Sequence, residues 1–159
     1  MLDKTDLKSM LSDPDLLRET CLVDGAWIGA EDGGSFPVMN PSRGDVICSV
    51  PDLGEAEIIR AIEAAHAAQK GWAAKTGKER AAVLRRWYEL MVEHADDLAA
   101  ILTAEMGKPL AEAKGEVLYG ASFIEWFGEE AKRVYGETVP GHQPDKRIIV
   151  LKQPIGVAA

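Results

Sequence analysis

The sequence predicts a mixed α/β architecture in which short strands come first and three long helices follow. Three observations predict it. Between Cys21 and Pro51, short apolar runs are punctuated by glycine, proline, asparagine and aspartate, the pattern of strands and turns. From Asp52 to about Val134, apolar residues recur at three- and four-residue steps instead, the pattern of helices with one buried face. At Arg147-Ile-Ile-Val-Leu-Lys152 a short strand-like run returns. With 159 residues, the chain is long enough for one domain with its own core.

Met1 to Thr20 is polar and acidic and has no apolar stretch of a secretory signal. Leu7, Leu11, Leu16 and Leu17 allow a short helical leader that Pro14 breaks. Cys21-Leu-Val-Asp-Gly-Ala-Trp-Ile28 reads as a hairpin, because Asp24-Gly25 is a favoured pair for a two-residue turn with positive φ. Phe36 to Met39 is extended, Asn40-Pro-Ser-Arg-Gly44 is a turn cluster, and Val46-Ile-Cys-Ser-Val50 alternates like a strand closed by Pro51.

Asp52-Leu-Gly-Glu55 has the spacing of a capping box and predicts the start of the first helix, which ends near Gly71. Ile58, Ile62, Ala65 and Trp72 fall mostly on one of its faces. Thr76-Gly-Lys-Glu79 is a second capping box. The helix it opens carries one continuous stripe of Leu84, Trp87, Met91, Ala95, Leu98 and Leu102. Gly107 is placed to stop that helix and Pro109 to start the next. The third helix buries Ala113, Val117, Ala121, Ile124, Phe127, Ala131 and Val134, and Gly136 ends it. Gly115 and Gly120 inside it each cost about 1 kcal/mol against alanine, which predicts close approach by another element or space for a ligand. Pro154 breaks the Arg147–Lys152 strand, and Ile155 to Ala159 begins another. The chain stops inside that apolar run, which predicts a piece of a longer protein.

The net charge of −8 argues against a nucleic acid or an anionic membrane as partner, since both require clustered Lys and Arg. No apolar run approaches the length of a membrane span. Cys21 and Cys48 make no disulfide framework and predict reduced thiols in a cytoplasm.

Candidate chemistry is sparse. His66, His94 and His142 fit no metal spacing. Cys21 and Cys48 lie in or beside strands, away from the electropositive setting a reactive thiol needs, and read as packing residues. Met106-Gly-Lys-Pro109 contains Gly-Lys but lacks the upstream glycine and the following Ser/Thr of a phosphate loop. Tyr119, Phe123, Trp126 and Phe127 read as core and rim, and Glu129-Glu130 as surface.

Several motifs together resemble the aldehyde dehydrogenase superfamily from about Cys21 to Ala159. They are Asn40-Pro-Ser-Arg-Gly44, Glu105-Met-Gly-Lys-Pro109, Tyr135-Gly-Glu-Thr-Val-Pro140 and Lys152-Gln-Pro-Ile-Gly-Val157, in that order and spacing. The run Lys108-Pro-Leu-Ala-Glu-Ala-Lys-Gly-Glu116, with Phe123-Ile-Glu-Trp-Phe127 and Glu129-Glu-Ala-Lys-Arg133, looks most like the NAD(P)-dependent succinate-semialdehyde dehydrogenase branch.

The resemblance implies a fold class and a division of the chain. The fold would be the incomplete N-terminal part of a Rossmann-like cofactor domain. Residues 1–20 would be a leader, 21–141 the strands and three helices, 142–154 the start of an oligomerisation arm, and 155–159 the first, truncated strand of the cofactor sheet. For the whole protein it implies oxidation of a semialdehyde with NAD or NADP, by attack of a cysteine thiolate and hydrolysis of the thioester, in a homo-oligomer. The family's catalytic asparagine, glutamate and cysteine and its cofactor-binding lysine all fall after the equivalent of Ala159. The resemblance therefore assigns no catalytic or cofactor residue here, and the chain alone is expected to be inactive and to bind no dinucleotide. Two transfers remain. Gly115 and Tyr119, four residues apart and so on one helix face, match positions at the mouth of the substrate tunnel. Val38 and Met39, through their carbonyls, and Glu105 match positions that hold a monovalent cation in some relatives. The competing expectation is a stand-alone helical interaction module without catalysis.

Overall fold

The computed structural model describes residues 4–158. Its elements run α1 (Lys4–Met10), a 3-10 turn (Pro14–Leu16), β1 (Cys21–Val23), β2 (Ala26–Ile28), β3 (Ser35–Met39), β4 (Val46–Pro51), α2 (Glu55–Ala73), α3 (Gly77–Glu93), α4 (Ala95–Met106), α5 (Leu110–Glu130), β5 (Glu137–Pro140) and β6 (Arg147–Val150). The six strands form three separate antiparallel hairpins, β1–β2, β3–β4 and β5–β6. The predicted Asp24-Gly25 turn is present, with φ of 50° and 76° at its two residues.

The long stripe read as one helix is two. α3 ends and α4 begins at His94, whose φ of −100° and ψ of 19° leave the helical region. Asp96 and Asp97 then put negative charge in the first turn of α4, where the helix dipole favours it. The second capping box forms as predicted: Glu79 N–H reaches Thr76 Oγ1 at 3.3 Å and Thr76 N–H reaches Glu79 Oε2 at 2.7 Å. The first does not form. Asp52 donates its N–H to the carbonyl of Gly34 at 3.0 Å, which extends the β3–β4 pairing, so Gly54 becomes the N-cap of α2 with no side-chain bond.

α5 is the central helix and packs against both α3 and α4. The contact surfaces are made of small residues. Ala81 on α3, Ala95 and Ala99 on α4, and Ala113, Ala121 and Gly128 on α5 are buried. A Cβ added at Gly128 would lie 3.3 Å from Leu84 Cβ, and one at Gly77 would lie 2.5 Å from the Ala131 carbonyl oxygen. These two glycines, rather than Gly115 and Gly120, are the points of close helix approach; nothing lies within 4 Å of a Cβ at Gly115 or Gly120. α5 ends at Glu130, ahead of Gly136, and Phe127 and Val134 are exposed rather than buried. Gly136 serves another purpose, since a Cβ there would strike the Val150 carbonyl oxygen of the paired strand.

A second cluster of buried residues sits across α4. Leu7, Leu11 and Leu17 pack with Ile47 and Cys48, against Val38, Val50, Ala100, Ile101 and Ala104. Ile47 and Cys48 are buried in succession, against the alternation expected of a strand, because the β3–β4 register shifts between Val38 and Met39. The Leu11–Leu17 stretch is tethered by one side chain. Asp97, only 5% exposed, accepts N–H bonds from Ser12 at 2.9 Å and Asp13 at 2.8 Å.

α2 is held differently. Glu57 is buried and accepts the N–H of Glu31 at 3.0 Å, while Arg60 pairs with the Glu31 carboxylate. Its apolar residues Ile58, Ile59, Ile62 and Trp72 are exposed. Residues 151–158 form no strand, so the expected strand from Ile155 is not formed over its described part, and Ala159 lies outside the described residues. A strand needs a neighbouring strand for its backbone N–H and C=O groups, and none of the three hairpins supplies one here.

The N–H bonds from Ser12 and Asp13 hold the Asp97 carboxyl below its ordinary value of 3.8. A carboxylate whose pKa is lowered on folding stabilises the fold above its unfolded pKa and loses that contribution as pH falls through the folded value. Thermal melts should therefore show Asp97→Asn less stable than the unsubstituted chain at pH 7, with the gap closing below about pH 4. A gap that stayed constant into acid would refute this role of the charge.

Candidate functional site

Two motifs that lie far apart in sequence meet at one corner. The turn Asn40–Gly44 is built around Asn40, which is buried and whose Oδ1 accepts N–H bonds from Ser42 at 3.0 Å and Arg43 at 3.1 Å. Arg43 and Asp45 pair through two bonds of 2.8 and 2.7 Å, and the Arg43 guanidinium holds the Asp45 carboxyl below its usual value. Gly107 ends α4 at φ 81°, ψ 7°, the left-handed conformation that spares a glycine the Cβ clash. A Cβ at Gly107 would lie 3.1 Å from the ring of Pro41. Between the two motifs lies an apolar pocket of about 310 Å³, lined among others by Leu7, Asn40, Ile47, Thr103, Gly107 and Leu110. The Thr103 Oγ1 is buried there without a hydrogen-bond partner.

Of the three residues matched to a cation site, Val38 is half-buried at the irregular end of β3, and Met39 is exposed next to it. Glu105 precedes Gly107 by two residues on α4 and is exposed as a residue. Its carboxyl is nonetheless partly desolvated, which raises its pKa above the ordinary 4.5. Glu105 is thus a carboxylate that disfavours its own charge and that a cation would relieve, which fits the donor set. The Pro41–Gly107 contact joins the turn that follows β3, which carries Val38 and Met39, to the end of α4, which carries Glu105.

The stretch Met106–Pro109 does not fit a phosphate. The Gly107 N–H is already bonded to the Thr103 carbonyl at 2.9 Å, and Lys108 Nζ is paired with Glu116. Nor do the described residues present a glycine loop opening onto a helix of the kind that cradles a dinucleotide. Among them, no group of three or more His, Cys, Asp or Glu is placed to hold a metal ion. His66 is exposed on α2, and His94 marks the α3–α4 joint. Cys48 is a core residue, and no disulfide joins it to Cys21.

Gly115 and Tyr119 lie on the outer side of α5, opposite the buried Ala113 and Ala121. Tyr119 is 66% exposed, and the Phe123 ring meets it edge to face at 4.9 Å. Trp126 and Phe127 are exposed as well, so of the core-and-rim reading of these four aromatics the core part does not hold. The small residues on the inner side let α3 and α4 approach, and the bulky ones are left to the outer side. Phe123 and Trp126 belong with Gly115 and Tyr119 by helical spacing, a signal present in the sequence but masked by the expectation that aromatics are buried.

The family profile described as the aldehyde dehydrogenase family matches residues 27–159. This chain belongs to the aldehyde dehydrogenase family. It is 62% identical over 149 residues to a glutarate-semialdehyde dehydrogenase from Pseudomonas aeruginosa, covering 94% of this chain and 31% of that protein. It is 57% identical to a succinate-semialdehyde dehydrogenase (NADP(+)) from Escherichia coli, again over 94% of this chain and 31% of the other. The solved succinate-semialdehyde dehydrogenase from Burkholderia pseudomallei aligns with a TM-score of 0.89 and 55% identity, covering 92% of this chain and 30% of that one. The chain thus spans about a third of the relatives it matches, and its strands and helices match the N-terminal part of aldehyde dehydrogenase structures.

Within the aldehyde dehydrogenase fold, the open space at Gly115 has a direct test. Gly115→Ala meets no neighbour in this chain and should stabilise it by about 1 kcal/mol, read by chemical denaturation. Destabilisation would mean that another group occupies the space beside Gly115.

Proposed function

We propose that this chain is the N-terminal third of an NAD(P)-dependent aldehyde dehydrogenase that oxidises succinate semialdehyde to succinate. The reading is carried by identities of 62% and 57% across 94% of the chain to relatives named for glutarate and succinate semialdehydes. Both are short aldehydes with a carboxylate at the far end. NAD(P), when bound, accepts the hydride. In this reading the cysteine nucleophile and its partners belong to the part of the fold this chain does not span. The residues here shape access: Gly115 leaves space, and Tyr119 offers an aromatic wall with a polar tip. Val38 and Met39 carbonyls with Glu105 would hold a monovalent cation that neutralises a partly desolvated carboxylate.

The whole protein would be a homo-oligomer. The β5–β6 hairpin exposes all of its residues, and a lone two-stranded hairpin is marginal in water, which favours pairing of its edge with another strand. A cytoplasmic setting accords with the thiols at Cys21 and Cys48, and no helix among the described residues is long and apolar enough to cross a membrane. The second reading, a stand-alone helical interaction module, is favoured only by the exposed outer side of α5.

The test joins this chain covalently to the remainder of the Pseudomonas aeruginosa relative, in place of that protein's matched segment. The fusion should form NAD(P)H from succinate semialdehyde, while the chain alone forms none. Its melting temperature should rise with K⁺ or Na⁺, and Glu105→Gln should abolish that rise. A folded fusion without activity, or activity in the chain alone, would sink the proposal.

A further inference from the structure

We infer that the cavity between α1, α4 and the Asn40–Gly44 turn is a binding site for a neutral, ring-sized molecule that carries one hydroxyl group. The inference rests on this cavity and on neither the aldehyde nor the cation.

Several elements meet at this corner without filling the space between them. Leu7 and Met10 line it from α1, Ile47 from β4 and Ala104 from α4. Leu7 and Ile47 belong to the buried leucine cluster, whereas Met10 is exposed, so the cavity runs from the core out to solvent. The bonds from Ser12 and Asp13 to Asp97 fix the chain directly after α1 and so hold that wall in place. The space amounts to about 310 Å³. An apolar cavity of about 150 Å³ already takes a benzene ring and stays dry without one. The volume also lies at the small end of ligand pockets, which start at about 300 Å³.

The chemistry of the occupant follows from which lining groups are already engaged. Arg43 spends Nε and Nη2 on the Asp45 carboxylate, at 2.8 and 2.7 Å. Asn40 spends Oδ1 on the N–H groups of Ser42 and Arg43. A charged ligand would therefore lose its water and meet mostly apolar walls, which is costly. One polar group of the lining is different. Thr103 lines the cavity, and its Oγ1 is buried with no hydrogen-bond partner. A buried hydroxyl in that state gains from any partner it can reach. Threonine in a helix adopts two χ1 rotamers, and the change from one to the other takes Oγ1 out of its buried position toward the cavity. There it can donate to or accept from one hydroxyl of a ligand whose remainder is apolar.

The experiment titrates 4-ethylphenol, ethylbenzene and succinate into the isotope-labelled chain and follows its amide resonances by NMR. 4-Ethylphenol should saturate, with its largest shifts at Leu7, Ala104 and Gly107, which line the cavity. It should also raise the melting temperature, as a ligand of the folded state alone does. Thr103→Val keeps the shape and removes the hydroxyl. It should weaken 4-ethylphenol by about threefold to tenfold and leave ethylbenzene unchanged. Ala104→Leu should abolish binding of both with the circular dichroism unchanged, because the added carbons enter open space. Should that variant fail to fold, the Thr103→Val comparison decides alone. Succinate should shift nothing. A titration that does not saturate, shifts spread over the exposed aromatics of α5, or a lowered melting temperature overturns the inference. So does a Thr103→Val chain that binds 4-ethylphenol as tightly as the unsubstituted one. Succinate acting on the same amides would make the occupant an anion and overturns it too.

Discussion

The Asp97 carboxylate joins the two packed regions of this chain. It sits at the third position of α4, a helix whose one flank meets α5 and whose other meets the leucine cluster of the first twenty residues. By accepting the N–H groups of Ser12 and Asp13 it fixes where that cluster lies. The same position is used twice more. Glu57, third in α2, accepts from Glu31, and Glu79, third in α3, accepts from Thr76. Each carboxyl is held below its ordinary pKa by those backbone N–H bonds, and each places negative charge where the helix dipole welcomes it. Helix starts therefore anchor the segments that precede them, and the order of the chain is tied down from its helices backward.

The helices themselves pack through alanine and glycine. Such surfaces allow close approach but bury little apolar area per residue, so each contact contributes modestly. The large side chains are displaced outward, onto the outer sides of α2, α3 and α5. That division explains why a chain with an ordinary apolar content shows so many exposed tryptophans and phenylalanines.

Signals that act over a few residues were readable from the sequence. Asp24-Gly25, the Thr76–Glu79 box, Gly107 and Pro109 each act through backbone conformations that neighbouring residues cannot override. Asp52–Glu55 has the same capping spelling and failed, because the Asp52 N–H was claimed by Gly34 through a pairing that only the fold creates. The break at His94 carries no Gly or Pro, and the apolar stripe passes through it in phase. The Ile47–Cys48 pair needed the strand register to be understood. At the site, helical spacing put Gly115 and Tyr119 on one side of α5 with Phe123 and Trp126 beside them, but only the packing showed that these aromatics are exposed. The meeting of Pro41 with Gly107 has no local signal at all.

Hydrogen exchange measured residue by residue tests the central role of Asp97 most directly. The amides of Ser12 and Asp13 lie outside any helix ladder, so protection there must come from the Asp97 carboxylate. At neutral pH both should exchange far more slowly than the amides of residues 151–158, which form no regular structure, and Asp97→Asn should remove that protection while leaving α5 protected. Exchange at Ser12 and Asp13 as fast as at residues 151–158 in the unsubstituted chain would contradict the account.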